Sequence, residues 1–216
     1  MNVIELRQYR MRPGRTGELV ELFEREFVEP QEAAGMTVLG QFRDLDDPHR
    51  FVWLRGFADM TARGRALPTF YDGPVWAAHR DRARATMADS SDARLLRPLG
   101  AVALPRHRPP VGAPPPDRFV AVTLWSFRDA LPDAEPQMRE KVVPLFGPSA
   151  LALASLDADN NFPRLPVRTG DGHVAVITRH PGEDDYRAVR ASIVLPEGIP
   201  EPAVLRLAPT PRSLLR

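Results

Sequence analysis

The sequence predicts an α+β protein built from two consecutive β-α-β-β-α-β units. The first observation is that an alternating segment over 3–11 is followed by a Pro13-Gly14 break and an amphipathic helical pattern. The second is that the same order of strands and helices begins again near residue 119. The third is a proline-rich stretch between the two units. We therefore expect a domain over 1–100, a linker over 101–117 and a second, diverged domain over 118–216.

The first unit has the clearer pattern. In the first strand, Ile4 and Leu6 fall on one face, while Glu5, Arg7 and Tyr9 fall on the other. A helix is expected from Thr16, with apolar residues at helical spacing, and it ends near Gly35. The other elements are expected in this order: strands over 36–45 and 50–57, a helix after Asp59 that Pro68 interrupts, a helix after Asp72-Gly73-Pro74, and a strand over 93–99.

The second unit repeats this order with poorer helices. Residues 101–117 hold six prolines and no periodic pattern, which is typical of a stiff, extended linker. The expected elements that follow are a strand over 119–127, a helix over 136–146, a strand over 150–156, a polar loop over 157–172, a strand over 173–179, a helix over 184–192 and a strand over 203–208. The two halves are interpreted as a diverged tandem repeat.

The composition narrows the function classes. A formal net charge of +1 gives no reason to expect nucleic acid or an anionic membrane as a partner. The absence of cysteine excludes disulfides, thiolate metal sites and cysteine nucleophiles. Lys141 is the only lysine, a bias that a high-GC bacterial genome explains. Because the sequence shows neither a signal peptide nor an apolar run long enough to span a bilayer, we expect a soluble, cytoplasmic protein.

Several segments resemble the NIPSNAP family. They are Glu5-Leu6-Arg7-Gln8-Tyr9 with Arg12-Pro13-Gly14, Val52-Trp53-Leu54-Arg55-Gly56-Phe57, Asp72-Gly73-Pro74-Val75-Trp76-Ala77-Ala78-His79-Arg80, and the ending Leu205 to Ser213. The resemblance implies a dimeric α+β barrel, in which two ferredoxin-like sheets pack face to face. That superfamily includes cofactor-independent monooxygenases, polyketide cyclases, isomerases, haem-binding enzymes and regulators. The NIPSNAP family brings no established reaction, so no catalytic residue is carried over.

The exposed face of a single sheet makes the same architecture physically reasonable. A four-stranded sheet with helices on one side leaves an apolar face, and large apolar patches are rare on soluble monomers. A second unit in the same chain can cover that face. We therefore expect a fused pseudo-dimer, either as a monomer with this internal pairing or as a homodimer.

The candidate site combines Tyr71, Trp76 and His79. Trp76 and His79 are three residues apart and are neighbours on one helical face, with Tyr71 just before that helix. An imidazole beside an aromatic wall is suited to proton transfer on a planar substrate. We assign His79 to proton transfer, Tyr71 to hydrogen bonding and Trp76 to stacking. The alternative is that His79 and Trp76 only pack, and the other four histidines, His173 included, are weaker candidates.

A second group of side chains projects from neighbouring strands. Its members are Arg7, Tyr9, Trp53 and Arg55, and they are suited to binding a carboxylate or phenolate and stacking on a ring. The alternative is that the arginines form structural ion pairs with Glu5.

No motif for a metal, a nucleotide or a serine nucleophile is present. The Asp157-Ala158-Asp159 segment begins like a calcium loop but has Phe162 and Arg168 where that loop needs glycine and glutamate. We expect no cofactor, with haem on an axial His79 kept as an alternative. The predicted function is to bind a small hydrophobic or aromatic metabolite. In one alternative the protein also transforms this metabolite, as a cyclase, isomerase or monooxygenase of secondary metabolism. The other alternative is a non-enzymatic ligand-binding or protein-interaction module.

Overall fold

Eight strands in the described part of the chain form one closed barrel. A computed structural model describes residues 1–105, 107–128 and 131–216. The strands are β1 Val3–Met11, β2 Thr37–Asp44, β3 Arg50–Phe57, β4 Met87–Pro98, β5 Phe119–Arg128, β6 Leu151–Ser155, β7 Gly172–His180 and β8 Ala203–Pro209. Their order around the barrel is β1-β3-β2-β8-β5-β7-β6-β4. The predicted mixed α+β architecture with a strand-rich sheet is confirmed.

Each half of the chain supplies a run of four adjacent strands. The first half contributes β4-β1-β3-β2 and the second contributes β6-β7-β5-β8. Two antiparallel seams join them, and each seam pairs three residues on either side, β2 with β8 and β4 with β6. The sheet of the first half is therefore closed against strands of the same chain.

The inside of the barrel is an apolar core shared by both halves. Ile4 and Leu6 of β1 point inward and are fully buried, as the alternation of the first strand predicts. They pack with inward residues of the second half such as Val122, Leu153 and Ile177. The apolar face that the first sheet would otherwise expose is thus covered from within the chain, which removes its surface from water.

Helices cover the outside of the barrel. Their bounds are α1 Thr16–Leu22, a π-helical turn Phe23–Phe27, α2 Val28–Ala33, α3 Met60–Tyr71, α4 Pro74–Thr86, α5 Leu131–Gln137, a π-helical turn Met138–Val142, a 3-10 turn Val143–Phe146 and α6 Glu183–Ser192. No helix among the described residues is both long and apolar enough to cross a bilayer.

Local signals place the two helices nearest the candidate site. The Asp59 side chain caps α3 by accepting a hydrogen bond from the backbone N–H of Ala62 at 2.7 Å. Pro74 opens α4, where a proline's missing N–H costs nothing. The expectation that Pro68 interrupts the preceding helix is wrong, because α3 continues to Tyr71. Pro68 lies in the last turn, and its carbonyl still accepts from the N–H of Asp72.

Three further elements differ from their predicted bounds. Strand β4 begins at Met87 rather than at residue 93, because residues 87–92 continue the pairing with β1. The helix expected over 136–146 begins at Leu131 and changes to π and 3-10 geometry after Gln137. A π-helical turn also divides the first predicted helix at Phe23–Phe27, and it buries both phenylalanines.

Candidate active site

A buried cluster of charged side chains lies on the outer face of β1 and β3, beneath the helices. We call Glu5, Arg7, Arg55 and Arg63 the arginine cluster, and all four are completely buried. The Glu5 carboxylate accepts hydrogen bonds from Arg7 Nη1 at 3.1 Å, from Arg55 Nε at 2.8 Å and from Arg63 Nε at 2.7 Å. One carboxylate thus holds three guanidinium groups in place.

Strand register explains why these residues meet. Alternation along β1 puts Glu5, Arg7 and Tyr9 on one face. In the antiparallel pairing with β3, Glu5 lies directly opposite Arg55, and Arg7 lies opposite Trp53. Arg7 and Arg55 therefore form the ion pairs with Glu5 that were expected as the alternative to binding a ligand. Arg63 reaches the same carboxylate from α3.

Two tyrosine hydroxyls lie at the edge of the arginine cluster. Arg7 Nε donates to the Tyr9 hydroxyl oxygen at 3.1 Å, and Arg55 Nη1 donates to the Tyr71 hydroxyl oxygen at 3.3 Å. In the described part of the chain, neither hydroxyl has an acceptor for its own hydrogen. Each phenol is therefore polarised by a cation and keeps a free proton to donate.

The protonation states follow from burial and charge. Burial raises the pKa of Glu5, but the charges of Arg55, Arg7 and Arg63 outweigh this effect and lower the pKa to about 2. Burial raises the pKa of Tyr71 above its ordinary value, and the charge of Arg55 offsets only part of that rise. At neutral pH, Glu5 is ionised and Tyr71 is a neutral hydrogen-bond donor.

A segment of the second half covers the cluster. We call residues 156–171, between β6 and β7, the covering loop. Arg63 Nη1 donates to the side-chain oxygens of Asn160 at 3.1 Å and of Asn161 at 2.6 Å. The Phe162 ring stacks on Tyr71 with 5.8 Å between centroids and 26° between planes. Both halves of the chain therefore build this site.

A small cavity lies between the tyrosines and the covering loop. We call it the tyrosine cavity; its volume is about 190 Å³. It is lined by Tyr9, Tyr71, Trp76, Arg84, Met87, Ser90, Phe162, Arg164, Leu165 and Pro166. Aromatic and aliphatic side chains line it together with the exposed side chains of Arg84 and Arg164, and Arg164 forms an ion pair with Asp72 at 2.8 Å. Engineered apolar cavities of roughly 150 Å³ bind benzene, so this volume suits a molecule of one ring.

The structure brings some of the predicted site residues together and separates others. Tyr71 and Trp76 are in contact, with 4.9 Å between ring centroids, and both line the tyrosine cavity with Tyr9. Arg7 and Arg55 lie directly behind the hydroxyls. Trp53 is buried against Tyr9 and Phe23, away from the cavity.

His79 lies one helical turn beyond Trp76. Its ring contacts Phe27, and its Nε2 is 3.5 Å from a carboxylate oxygen of Glu26. The His79 side chain is 31% exposed, and it is outside the described lining of the tyrosine cavity. Its role in proton transfer stays a prediction.

Comparisons with known proteins place the first half of the chain in a family. Residues 4–101 match the NIPSNAP family. The first half is a NIPSNAP domain. Three of the four segments that resemble the family lie in β1, in β3 and at the start of α4, where they contribute to the arginine cluster and the tyrosine cavity. The fourth is the segment Leu205 to Ser213. No curated protein matches the chain.

Two solved structures share the fold of the whole chain, and a third matches less than half of it. A candidate monooxygenase from Fusobacterium nucleatum is 9% identical, with 96% of this chain and 92% of that chain covered and a TM-score of 0.63. Another from Lactobacillus acidophilus is 10% identical, with full coverage of both chains and a TM-score of 0.55. A NIPSNAP family protein from Agrobacterium tumefaciens is 23% identical over 46% of this chain and 88% of its own, with a TM-score of 0.43.

Sequence reasoning missed residues that complete the site of the NIPSNAP domain. Arg63 carries no motif, and only the fold shows that α3 brings it to Glu5. Phe162 and its neighbouring asparagines lie in a loop without periodicity. The signal available for the loop was the presence of Phe162, Leu165 and Val167 among mostly polar residues, because large apolar side chains are usually buried.

Larger crevices than the tyrosine cavity occur elsewhere in the described structure. One of about 410 Å³ is lined by His173, Arg94 and part of the covering loop, and another of about 500 Å³ lies between α1 and the linker. Arg94 Nε donates to His173 Nε2 at 3.3 Å, so the other nitrogen carries the proton and donates to the Ser126 hydroxyl at 3.0 Å. Both ring nitrogens of His173 are thus engaged. The tyrosine cavity is smaller, but it has donors free for a ligand.

Proposed function

We propose that the NIPSNAP domain binds a small aromatic or hydrophobic molecule of about one ring in the tyrosine cavity, and transforms it without a dissociable cofactor. The observation that carries the proposal is the pair of hydroxyls of Tyr9 and Tyr71. Each accepts a hydrogen bond from a buried arginine, and each has its own proton free at an aromatic-walled cavity. Such a site combines apolar walls with a few oriented polar groups.

The chemistry that these residues support is stabilisation of charge on a ligand oxygen. Trp76 and Phe162 would hold the ring by stacking, and the two hydroxyls would orient an oxygen substituent. Cyclase, isomerase and cofactor-independent monooxygenase reactions all include such a step. The names of the Fusobacterium and Lactobacillus structures favour the last of these by analogy of fold.

A second candidate is binding without chemistry. It is favoured by the separation of His79 from the tyrosine cavity, because the described lining then contains no group that titrates near neutral pH. In that case the NIPSNAP domain would sequester or sense the same kind of molecule.

The architecture completes this proposal. We infer that the chain is a fused pseudo-dimer, with a first domain over 1–100 and a second over 118–216. The support is that each half contributes four adjacent strands in the same order, since β4-β1-β3-β2 corresponds to β8-β5-β7-β6. In this arrangement, the second unit covers the first sheet and supplies the loop over its site.

Equilibrium dialysis with nitrobenzene tests whether the tyrosine cavity binds a ring. Leu165→Trp should fill the cavity and abolish binding, because Leu165 is a wall of a space of only about 190 Å³. Leu131→Trp is the matched control, since Leu131 lines the larger crevice beside His173. Binding that survives Leu165→Trp, or that is lost in Leu131→Trp, would contradict the proposal.

A further inference from the structure

The geometry points to a ligand that carries an oxyanion on its ring, held between the hydroxyls of Tyr9 and Tyr71. This inference rests on the proposed function and narrows its substrate class. It specifies the charge of the bound ligand, which cannot be deduced from the size of the cavity or from its aromatic walls.

The arginine cluster holds more positive than negative charge. Three guanidinium groups face one carboxylate, and arginine stays protonated in proteins. The cluster therefore carries two surplus positive charges at sites that are completely buried. Among the described residues, its other hydrogen-bond partners are neutral: Gln31, Met36, the two asparagines, the tyrosines and the Ser90 carbonyl.

Such a surplus of buried positive charge costs free energy. Buried charges are normally paired, because removing an ion from water is expensive without a counter-ion. Tyr71 does not supply the missing negative charge, since burial keeps its pKa above the ordinary value and the phenol neutral. Nη2 of Arg63 is also buried without a hydrogen-bond partner among the described residues. An anion from outside the protein would reduce the imbalance.

The positive charge of the arginine cluster acts on the tyrosine cavity through the two tyrosines. Arg7 and Arg55 donate to the tyrosine oxygens, so the two O–H groups are left to donate to a ligand. Arg7 also donates to the backbone carbonyl of Ser90, another residue of the cavity wall, at 3.3 Å. A phenolate, enolate or carboxylate oxygen that accepts from both hydroxyls would be stabilised by two polarised donors.

The experiment compares ligands that differ in the oxygen. Nitrobenzene and 4-nitrophenol have similar rings, and 4-nitrophenol shows its ionisation by absorbance. Hydrogen bonds to a charged group contribute roughly 1.5–3 kcal/mol, so 4-nitrophenol should bind about ten- to hundredfold more tightly. At a pH about one unit below the pKa of free 4-nitrophenol, the bound probe should show the phenolate band. A parallel titration with 4-nitrobenzoate distinguishes a carboxylate source from a phenolate or enolate, and tighter binding of either anion than of nitrobenzene supports the inference.

Variants of the two tyrosines test whether their hydroxyls cause the tighter binding of 4-nitrophenol. Tyr9→Phe and Tyr71→Phe keep the rings, and each should weaken 4-nitrophenol binding about tenfold, which is more than it weakens nitrobenzene binding. Tyr186→Phe is the control, because this buried tyrosine stacks on Phe119 in the second half. Equal affinities for nitrobenzene and both anionic probes, all abolished by Leu165→Trp, would overturn the oxyanion and leave the proposed function standing. Binding of none of the probes would overturn both.

Discussion

The outer faces of the two central strands differ although their surroundings are alike. In β1 the outward positions hold Glu5, Arg7 and Tyr9, and the helices above them bury a network of ions. In β5 the outward positions hold Ala121, Thr123 and Trp125, and the helices above them bury apolar side chains. Apolar contacts are enough to hold helices on a sheet, so we propose that the ions of the NIPSNAP domain serve the tyrosine cavity.

That difference assigns roles to the two halves. Buried ion pairs are weak contributors to stability and are often replaceable by apolar residues. The second half shows that this fold accepts such a replacement. The arginine cluster is therefore best explained by what it does to the two tyrosine hydroxyls and to the cavity in front of them.

The largest expected effect follows from removing the single carboxylate of the cluster. Glu5→Gln leaves three buried guanidinium groups without a counter-ion and should lower the free energy of unfolding by about 3–5 kcal/mol. Thr123→Val is the matched change in β5, where the buried hydroxyl has no hydrogen-bond partner among the described residues, so stability should change by less than about 1 kcal/mol. Urea denaturation measures both. Similar losses in the two variants would remove the contrast between the halves.

The lowered pKa of the Glu5 carboxylate predicts that the stability of the protein depends on pH. The pKa of Glu5 is lowered from 4.5 to about 2 in the folded protein, so its contribution is complete above pH 4.5. It is lost as the pH falls from 4.5 toward 2, because the unfolded chain takes up the proton first. The stability difference between the wild-type protein and Glu5→Gln should therefore shrink across this window. A constant difference from neutral pH to pH 2 would show that Glu5 is not held ionised by the arginines.

An intermediate effect is expected at the covering loop. Phe162 is only 6% exposed, and Phe162→Ala removes its stacking on Tyr71, so the loss of stability should be about 3 kcal/mol. Phe146→Ala, which removes a half-buried ring beside Trp125 in the second half, should cost about 1 kcal/mol. Thermal unfolding of both variants gives the comparison. A smaller loss at Phe162 than at Phe146 would mean that the loop does not close the site.

The smallest effect is expected at His79. Its contact with Glu26 is half-exposed and 3.5 Å long, so His79→Ala should change stability by less than about 1 kcal/mol. Because His79 is outside the described cavity lining, nitrobenzene affinity should stay within about twofold of the wild type by equilibrium dialysis. A large loss of affinity would place His79 in direct contact with the ligand.

Local pattern was sufficient for much of the fold and for part of the site. Period-two alternation in β1 shows that Glu5, Arg7 and Tyr9 share a face, and Asp72-Gly73-Pro74 marks the start of α4. The covering loop was beyond such reasoning. Asn161 lies 98 residues from Arg63, its partner in the cluster, and nothing periodic in the loop indicates where it packs. Contacts of this separation are decided by the closure of the barrel, which sequence spacing does not encode.

The most direct measurement is a crystal structure of the protein soaked in 4-bromophenol, with the bromine located by its anomalous scattering. We predict a bromine peak in the tyrosine cavity, with the phenol oxygen within hydrogen-bond distance of the Tyr9 and Tyr71 hydroxyls. A bromine peak found only in the crevice beside His173, or only between α1 and the linker, would contradict it.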